Sequence, residues 1–427
     1  MKKQSFAIAL SMMAGAALAQ QGPVQFSARG IVALSDADMS ASAFVDGNLY
    51  KEKGVRDALT TIQFPLDRNT DKMGSVVVSN SMTLLDKPLA VSNNGRVAFV
   101  LEGRGQVSDS VATLKNGIND LPASNAMYIV DISNAAKPTV KFRFPTGGSL
   151  TALAITPQSN ALIVASADAG KELKIIEIDN TGKPTRVLTA EAPTKSGQIT
   201  DLTFHPSGQF VAYSIAGSQE VGLMKYAIDN ASKKPYLIAH GAPIKVGAMP
   251  GTGKFTADGK FFVLTDSKKA ASAQGSGAGE AFVIQFSTED KPGEHKIVSQ
   301  AATGESPEAL AISPDGATII IANSNQSYLP FNSGKAGKSS LSVYSLGQDG
   351  KLTLANEYPF DGIMPQAVEF DKTGDAIAVA VSEYLDYGTR TGGIEFWRVT
   401  KDDKPALTKQ PGRISVTRGV HALKVIQ

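Results

Sequence analysis

The 427-residue chain contains no cysteine. That excludes disulfides, thiolate metal sites and a lipid-modified cysteine after an export signal. Excess charge of one sign is also lacking: 42 Lys and Arg face 40 Asp and Glu, a formal +2 at pH 7. With no basic stripe and no recognised module, nothing supports a nucleic-acid partner. Only four histidines occur, His205, His240, His295 and His421, and none has a partner spacing, so no metal centre is expected. There is no Gly-x-Ser-x-Gly elbow and no phosphate-cradling loop, and no cofactor is expected. The longest apolar stretch, Phe6 to Leu18, falls short of the roughly 20 residues that span a bilayer. Lys2 and Lys3 precede it and Ala17-Leu18-Ala19 closes it, the pattern of a secretory signal over residues 1–19. The expectation is a mature start near Gln20, a flexible lead-in over 20–28, and a bacterial periplasmic or extracellular location. No later segment is long and apolar enough to span a membrane.

What is present is a repeat. Forty glycines and 21 prolines announce many turns, and a 42% hydrophobic content is ample for a large core. The unit is clearest at Pro307-Glu308-Ala309-Leu310-Ala311-Ile312, Ser313-Pro314-Asp315-Gly316 and Thr318-Ile319-Ile320-Ile321. It reads as an alternating strand, a tight turn and a β-branched buried strand. Copies centre on Leu89–Val91, Leu153–Ile155, Leu202–Phe204, Lys254–Phe255 and Val368–Phe370, each followed by a turn and a second apolar run. A third strand follows each copy, as at Leu341-Ser342-Val343-Tyr344, then a polar turn and a weaker fourth strand. No long amphipathic helix interrupts the series, which disfavours an α/β fold. Four strands recurring every 45–60 residues or so is the period of a β-propeller blade.

The six copies, with the strand-like runs of residues 29–85, predict an all-β, seven-bladed β-propeller with four antiparallel strands per blade over residues 29–427. Val420-His421-Ala422-Leu423-Lys424-Val425 matches the first strand of the unit but has no second strand after it. It is therefore expected to close the ring as the innermost strand of blade one, removing the open edge. Six blades with a separate N-terminal cap is the alternative.

Two sets of residues could carry function. The connections between second and third strands are long at 46–57, 102–125, 268–280, 325–339 and 384–392, in neighbouring blades. They form a crescent on one face, with Tyr328, Phe331, Tyr384, Tyr387 and Arg390 as its larger groups, and loops on a rigid scaffold often carry binding residues. The starts of the first strands point to the channel mouth: Lys87, Thr151, Thr200, Glu308, Gln366 and His421, with Asp201 alongside. Converging polar groups in a funnel suit a small ligand, although any propeller channel is polar and hydrated.

Phe204-His205-Pro206-Ser207-Gly208, Ile312-Ser313-Pro314-Asp315-Gly316 and Leu341-Ser342-Val343-Tyr344 resemble the seven-bladed lactonase-like propellers, a group of 6-phosphogluconolactonase type with YVTN-repeat surface proteins as neighbours. The resemblance covers roughly 88–427. It implies a His, a Glu and an Arg on the channel face. The matching stretches here read Ile199-Thr200-Asp201-Leu202, Ser214-Ile215-Ala216-Gly217 and Ala322-Asn323-Ser324-Asn325, so all three are replaced. That loss, with the loop crescent, favours a non-catalytic scaffold that binds an envelope or extracellular protein or a small ligand. The alternatives are a lactonase-like hydrolase of a lactone or sugar acid, with His421, Glu308 and Asp201 as weak catalytic candidates, and a structural cell-envelope component.

Overall fold

The computed structural model describes residues 24–427, apart from 39–40, 42, 67–71, 85–86, 124–125, 268–276 and 387–388. The signal segment 1–19, the first part of the lead-in and Tyr387 lie outside the described residues. Seven antiparallel sheets follow one another around a ring, six of them four-stranded and the fourth carrying the short strand Ile244–Lys245 as a fifth. Blade one runs, from the channel outward, Val420–Ile426, Gly30–Ser35, Ala58–Gln63 and Met73–Val77. Blades two to seven begin at the channel with Leu89–Val91, Leu150–Ile155, Asp201–Phe204, Pro250–Phe255, Pro307–Ile312 and Ile363–Phe370. The expected closure is seen directly: Ile31 pairs with Val425 and Ala33 with Leu423 across the two ends of the chain.

The turn of the repeat recurs in the same form. The backbone N–H of Ser313 donates to Thr318 O at 2.9 Å, and Ser92, Thr156, His205, Thr256 and Asp371 each make the same five-residue bond. Gly316 sits at φ +75°, the left-handed corner for which glycine is suited. His205 is a turn residue, its Nδ1 and the Ser207 hydroxyl 2.8 Å apart.

Burial explains the residue choice along each blade. Second strands such as Ala161–Ser166 and Thr318–Asn323 are buried at every position, because neighbouring blades cover both faces. Outer strands such as Pro184–Ala190 alternate in burial, because one face meets water. The apolar side chains gather into seven clusters, each shared by two adjacent blades. The ring is thus held by seven inter-blade cores. Two of them contain the C-terminal strand: Val420 and Leu423 pack towards blade seven, and Ala422 towards blade two.

The lead-in to that strand is sterically tight. Gly419 lies at φ +72°, and a Cβ placed on it would meet Asp36 O at 1.9 Å. Its carbonyl accepts from Asp36 N at 3.0 Å and its N–H donates to Ser382 O at 2.7 Å. Gly419→Ala is expected to destabilise the protein by about 3 kcal/mol or more, since strain and a backbone clash add. Chemical denaturation measures this; an unchanged midpoint would contradict the assignment.

The described parts of the blade-one and blade-two loops do not stand free in solvent. The blade-one and blade-two loops pair as a short ribbon, Leu49–Tyr50 against Thr113–Leu114. Arg56 Nη2 and Asp109 Oδ2 lie 2.6 Å apart across them. Leu49, Met82, Leu114, Leu121, Tyr328 and Met364 form a small core of their own over this face, with Phe44 packed against it. This part of the crescent is therefore a self-packed cap. Among the described residues no helix is long and apolar enough to cross a membrane.

Candidate functional site

The cap leaves a cavity of about 530 Å³ at the channel mouth. Five of the predicted mouth residues line it: Lys87, Thr151, Thr200, Glu308 and Gln366. Their convergence has a backbone cause. In blades three, six and seven the pairing of first and second strands slips by one residue, between Leu150 and Ala152, Pro307 and Ala309, and Pro365 and Ala367. The extra residue is Thr151, Glu308 or Gln366. A β-bulge re-aims a side chain out of the pleat, and here it turns a polar group to the channel mouth.

The same slip in blade one makes His421 the extra residue, between Val420 and Ala422. His421 nevertheless stays out of the cavity lining. It is fully buried, and the turn Met82–Leu84 packs against its strand. Its Nε2 lies 2.8 Å from Asn80 Oδ1. Asn80 Nδ2 already donates to Ser35 O and Val78 O, so Nε2 is the donor. An acid–base pair of His421 with Glu308 is not what the fold assembles. Asp201 is likewise displaced: its carboxylate is buried and accepts from Gly253 N at 3.0 Å, tying blade four to blade five. It lines the lower channel, a cavity of about 630 Å³ that Lys87 also reaches.

Of the loop candidates, Tyr328 is buried in the cap core, its ring 5.5 Å from that of Phe44. Tyr384 is buried in blade seven, donates to Glu395 Oε1 at 2.7 Å and carries the Arg413 guanidinium 3.8 Å above its ring. Arg390 lies 3.4 Å from buried Glu383 Oε1, whose other oxygen accepts from Ala41 N. These three groups hold the cap and blade seven together. Phe331 is presented to solvent, at 99% exposure, and Arg390 is exposed as well.

Glu308 differs in kind from the rest. It is buried, and burial pushes its carboxyl up to about 7, only partly opposed by the Ser324 hydroxyl 3.2 Å from Oε1. The backbone around it is strained. Seven described non-glycine residues have positive φ, and four lie here: Ser306 (51°), Asn325 (46°), Gln326 (54°) and Met364 (55°). Asn325 clamps the approach, its N–H donating to Glu305 O and its Oδ1 accepting from Glu305 N. Strain concentrated around one buried carboxyl is characteristic of a functional site. Ser306, Gln198, Met249, Met364 and Phe44 also line the cavity and were not anticipated. Nothing in their residue types marks them, since Phe44, Gln198, Met249 and Ser306 arrive from different connections and Met364 from the first strand of blade seven. Among the described residues no group of three or more His, Asp or Glu is placed to hold a metal.

Comparison with known proteins decides the family. The model of the family "Lactonase, 7-bladed beta-propeller" matches residues 87–384, well over half of the chain. The chain belongs to this lactonase family. No curated protein matches it. Among solved structures, it is similar to the periplasmic gluconolactonase of Pseudomonas aeruginosa, at 14% identity and a TM-score of 0.62, covering 93% of this chain and 99% of that one. It is also similar to a protein of Bacteroides fragilis provisionally described as a 6-phosphogluconolactonase, at 14% identity and a TM-score of 0.60, covering 93% and 98%. At such identities the likeness is one of fold. Membership of a lactonase family overturns the expectation of a non-catalytic binding scaffold and moves the weight to the hydrolase alternative. Of the replaced positions, Thr200 and Ala216 line the mouth cavity, and the Ser324 hydroxyl bonds the Glu308 carboxyl that also lines it.

Proposed function

We propose that this chain hydrolyses a lactone in the mouth cavity, with Glu308 as the general base. The observation that carries the reading is a buried carboxyl facing the cavity and held near neutrality, where it can both take and return a proton. Ionised Glu308 takes a proton from a water molecule as that water's oxygen bonds to the lactone carbonyl carbon. The carbonyl oxygen becomes an oxyanion, and Lys87 and the amide nitrogen of Gln366 are the donors facing the same space. Collapse re-forms the carbonyl and breaks the ring C–O bond, and Glu308 returns its proton to the departing ring oxygen. Lactone and water give one hydroxy acid, and the carboxylate is regenerated. The test is hydrolysis of a lactone panel by the purified protein and by Glu308→Gln. Turnover that falls at least a hundredfold in the variant supports the reading; equal turnover by both proteins overturns it.

We also infer export to the periplasm. Lys2, Lys3, the run Phe6 to Leu18 and Ala17-Leu18-Ala19 support it, as does the likeness to a periplasmic gluconolactonase. Protein recovered from its native cells is expected to begin near Gln20 on N-terminal sequencing; a start at Met1 overturns the inference.

A further inference from the structure

The following inference rests on the lactonase reading of the mouth cavity and concerns the kind of lactone it takes. The apolar lining comprises Phe44 and Met82 of the cap, Leu84 of the turn into blade two, Met249 of the connection into blade five and Met364 of blade seven. The rest of the lining is polar in residue type, but much of its hydrogen-bonding capacity is already used. Thr151 Oγ1 donates to Ile199 O at 2.8 Å. Thr200 Oγ1 donates to Ser214 O and accepts from Ala216 N, each at 3.2 Å. Gln366 Oε1 accepts from the Ser382 hydroxyl at 2.9 Å. Of the buried polar groups in the lining, the Glu308 carboxyl, the Ser306 hydroxyl and the Gln366 amide nitrogen are left to meet a ligand, beside half-buried Lys87 and Ser267; Thr83 and Gln198 are exposed and stay hydrated at the rim.

That set suits one ester group and its attacking water. It does not suit a sugar lactone, whose ring bears a hydroxyl on nearly every carbon. Each hydroxyl buried against methionine and phenylalanine without a partner weakens binding by about tenfold or more. An aliphatic chain gains from the same surface, by roughly a factor of three to four per buried methylene. Methionine side chains are unbranched and adapt to a flexible chain.

We propose that the substrate is a lactone ring carrying an aliphatic chain. The ring sits at Glu308 and Gln366, and the chain lies along Phe44, Met249 and Met364. Met249 is half-buried in a connection, so its replacement leaves the inter-blade cores intact. The test compares γ-butyrolactone, γ-decalactone and D-glucono-δ-lactone by pH-stat, each rate taken relative to spontaneous hydrolysis. γ-Decalactone is expected to lead in kcat/KM by at least about tenfold, through KM. Met249→Gln is expected to raise the KM for γ-decalactone about fivefold while kcat is retained. Turnover that depends on Glu308 but favours gluconolactone, or treats all three alike, overturns the substrate class and leaves lactone hydrolysis standing. An unchanged KM in Met249→Gln overturns the placement of the chain. No turnover of any lactone overturns both readings.

Discussion

Glu308→Gln is expected to abolish turnover and at the same time make the protein more stable above neutral pH. The catalytic half follows from the proton inventory. A general base contributes about 10²–10⁴ in rate, and glutamine cannot accept the proton. In the unsubstituted protein kcat/KM should rise with pH through about 7 and then level off, because only the ionised carboxyl is a base. The stabilising half follows from linkage. Burial raises the folded-state value from 4.5 to about 7, so the folded protein holds this proton more tightly than the unfolded chain does. Below pH 4.5 both states are protonated and the group is neutral in effect. As pH rises towards 7 the unfolded chain ionises freely, while the folded protein must either keep the proton or bury a charge. Stability therefore falls across that window and stays lowered above it. At 1.36 kcal/mol for each factor of ten in proton affinity, the full cost is about 3 kcal/mol. Glutamine never ionises and escapes it. For a chain this long the melting temperature should rise by about 3–5 °C at pH 8, with little difference at pH 4.5. A variant that is less stable than the parent at pH 8 would show that Glu308 is not a strained, buried base. The combination also separates a functional from a structural role, because loss of a purely structural carboxyl lowers stability and activity together.

Removal of Val420–Gln427 is expected to prevent folding of the ring. The strand is a small part of the chain, but it is the innermost strand of blade one, and no other segment pairs with Gly30–Ser35 on that side. Its loss strips side chains from two of the seven inter-blade cores, Val420 and Leu423 from one and Ala422 from the other. It also breaks the ion pair of Glu369 with Lys424, at 3.3 Å, and the bond from Arg29 Nε to Gln427 O at 2.6 Å. Leu423→Ala alone should cost about 2–5 kcal/mol by cavity formation. The truncation adds an open sheet edge to that loss and so exceeds the 5–15 kcal/mol that typically separates folded from unfolded protein. Circular dichroism and limited proteolysis of the truncated chain measure the outcome. A cooperative melt with protected blades two to six would mean that the ring does not depend on its closure.

Much of this was legible from residues alone, for a local reason. Each turn is a short-range device: Ser313, Pro314, Asp315 and Gly316 determine their own backbone through one five-residue bond, and six copies repeat it. The alternation of side chains on either side states which strands are half-buried and which are enclosed. Seven blades and the closing role of Val420–Val425 follow from counting those units, and so does the ring of polar positions at the first-strand starts. The chemistry of those positions did not follow. Thr151, Glu308, Gln366 and His421 look equivalent in sequence, and all four are bulged. Yet the turn Met82–Leu84 seals His421 against Asn80, while Glu308 keeps an open face and loses its solvent. The burial that sets the proton affinity of Glu308 comes from a cap built by blades one, two, six and seven. Desolvation depends on everything that surrounds a group, however distant in the chain, and only the tertiary structure brings those surroundings together.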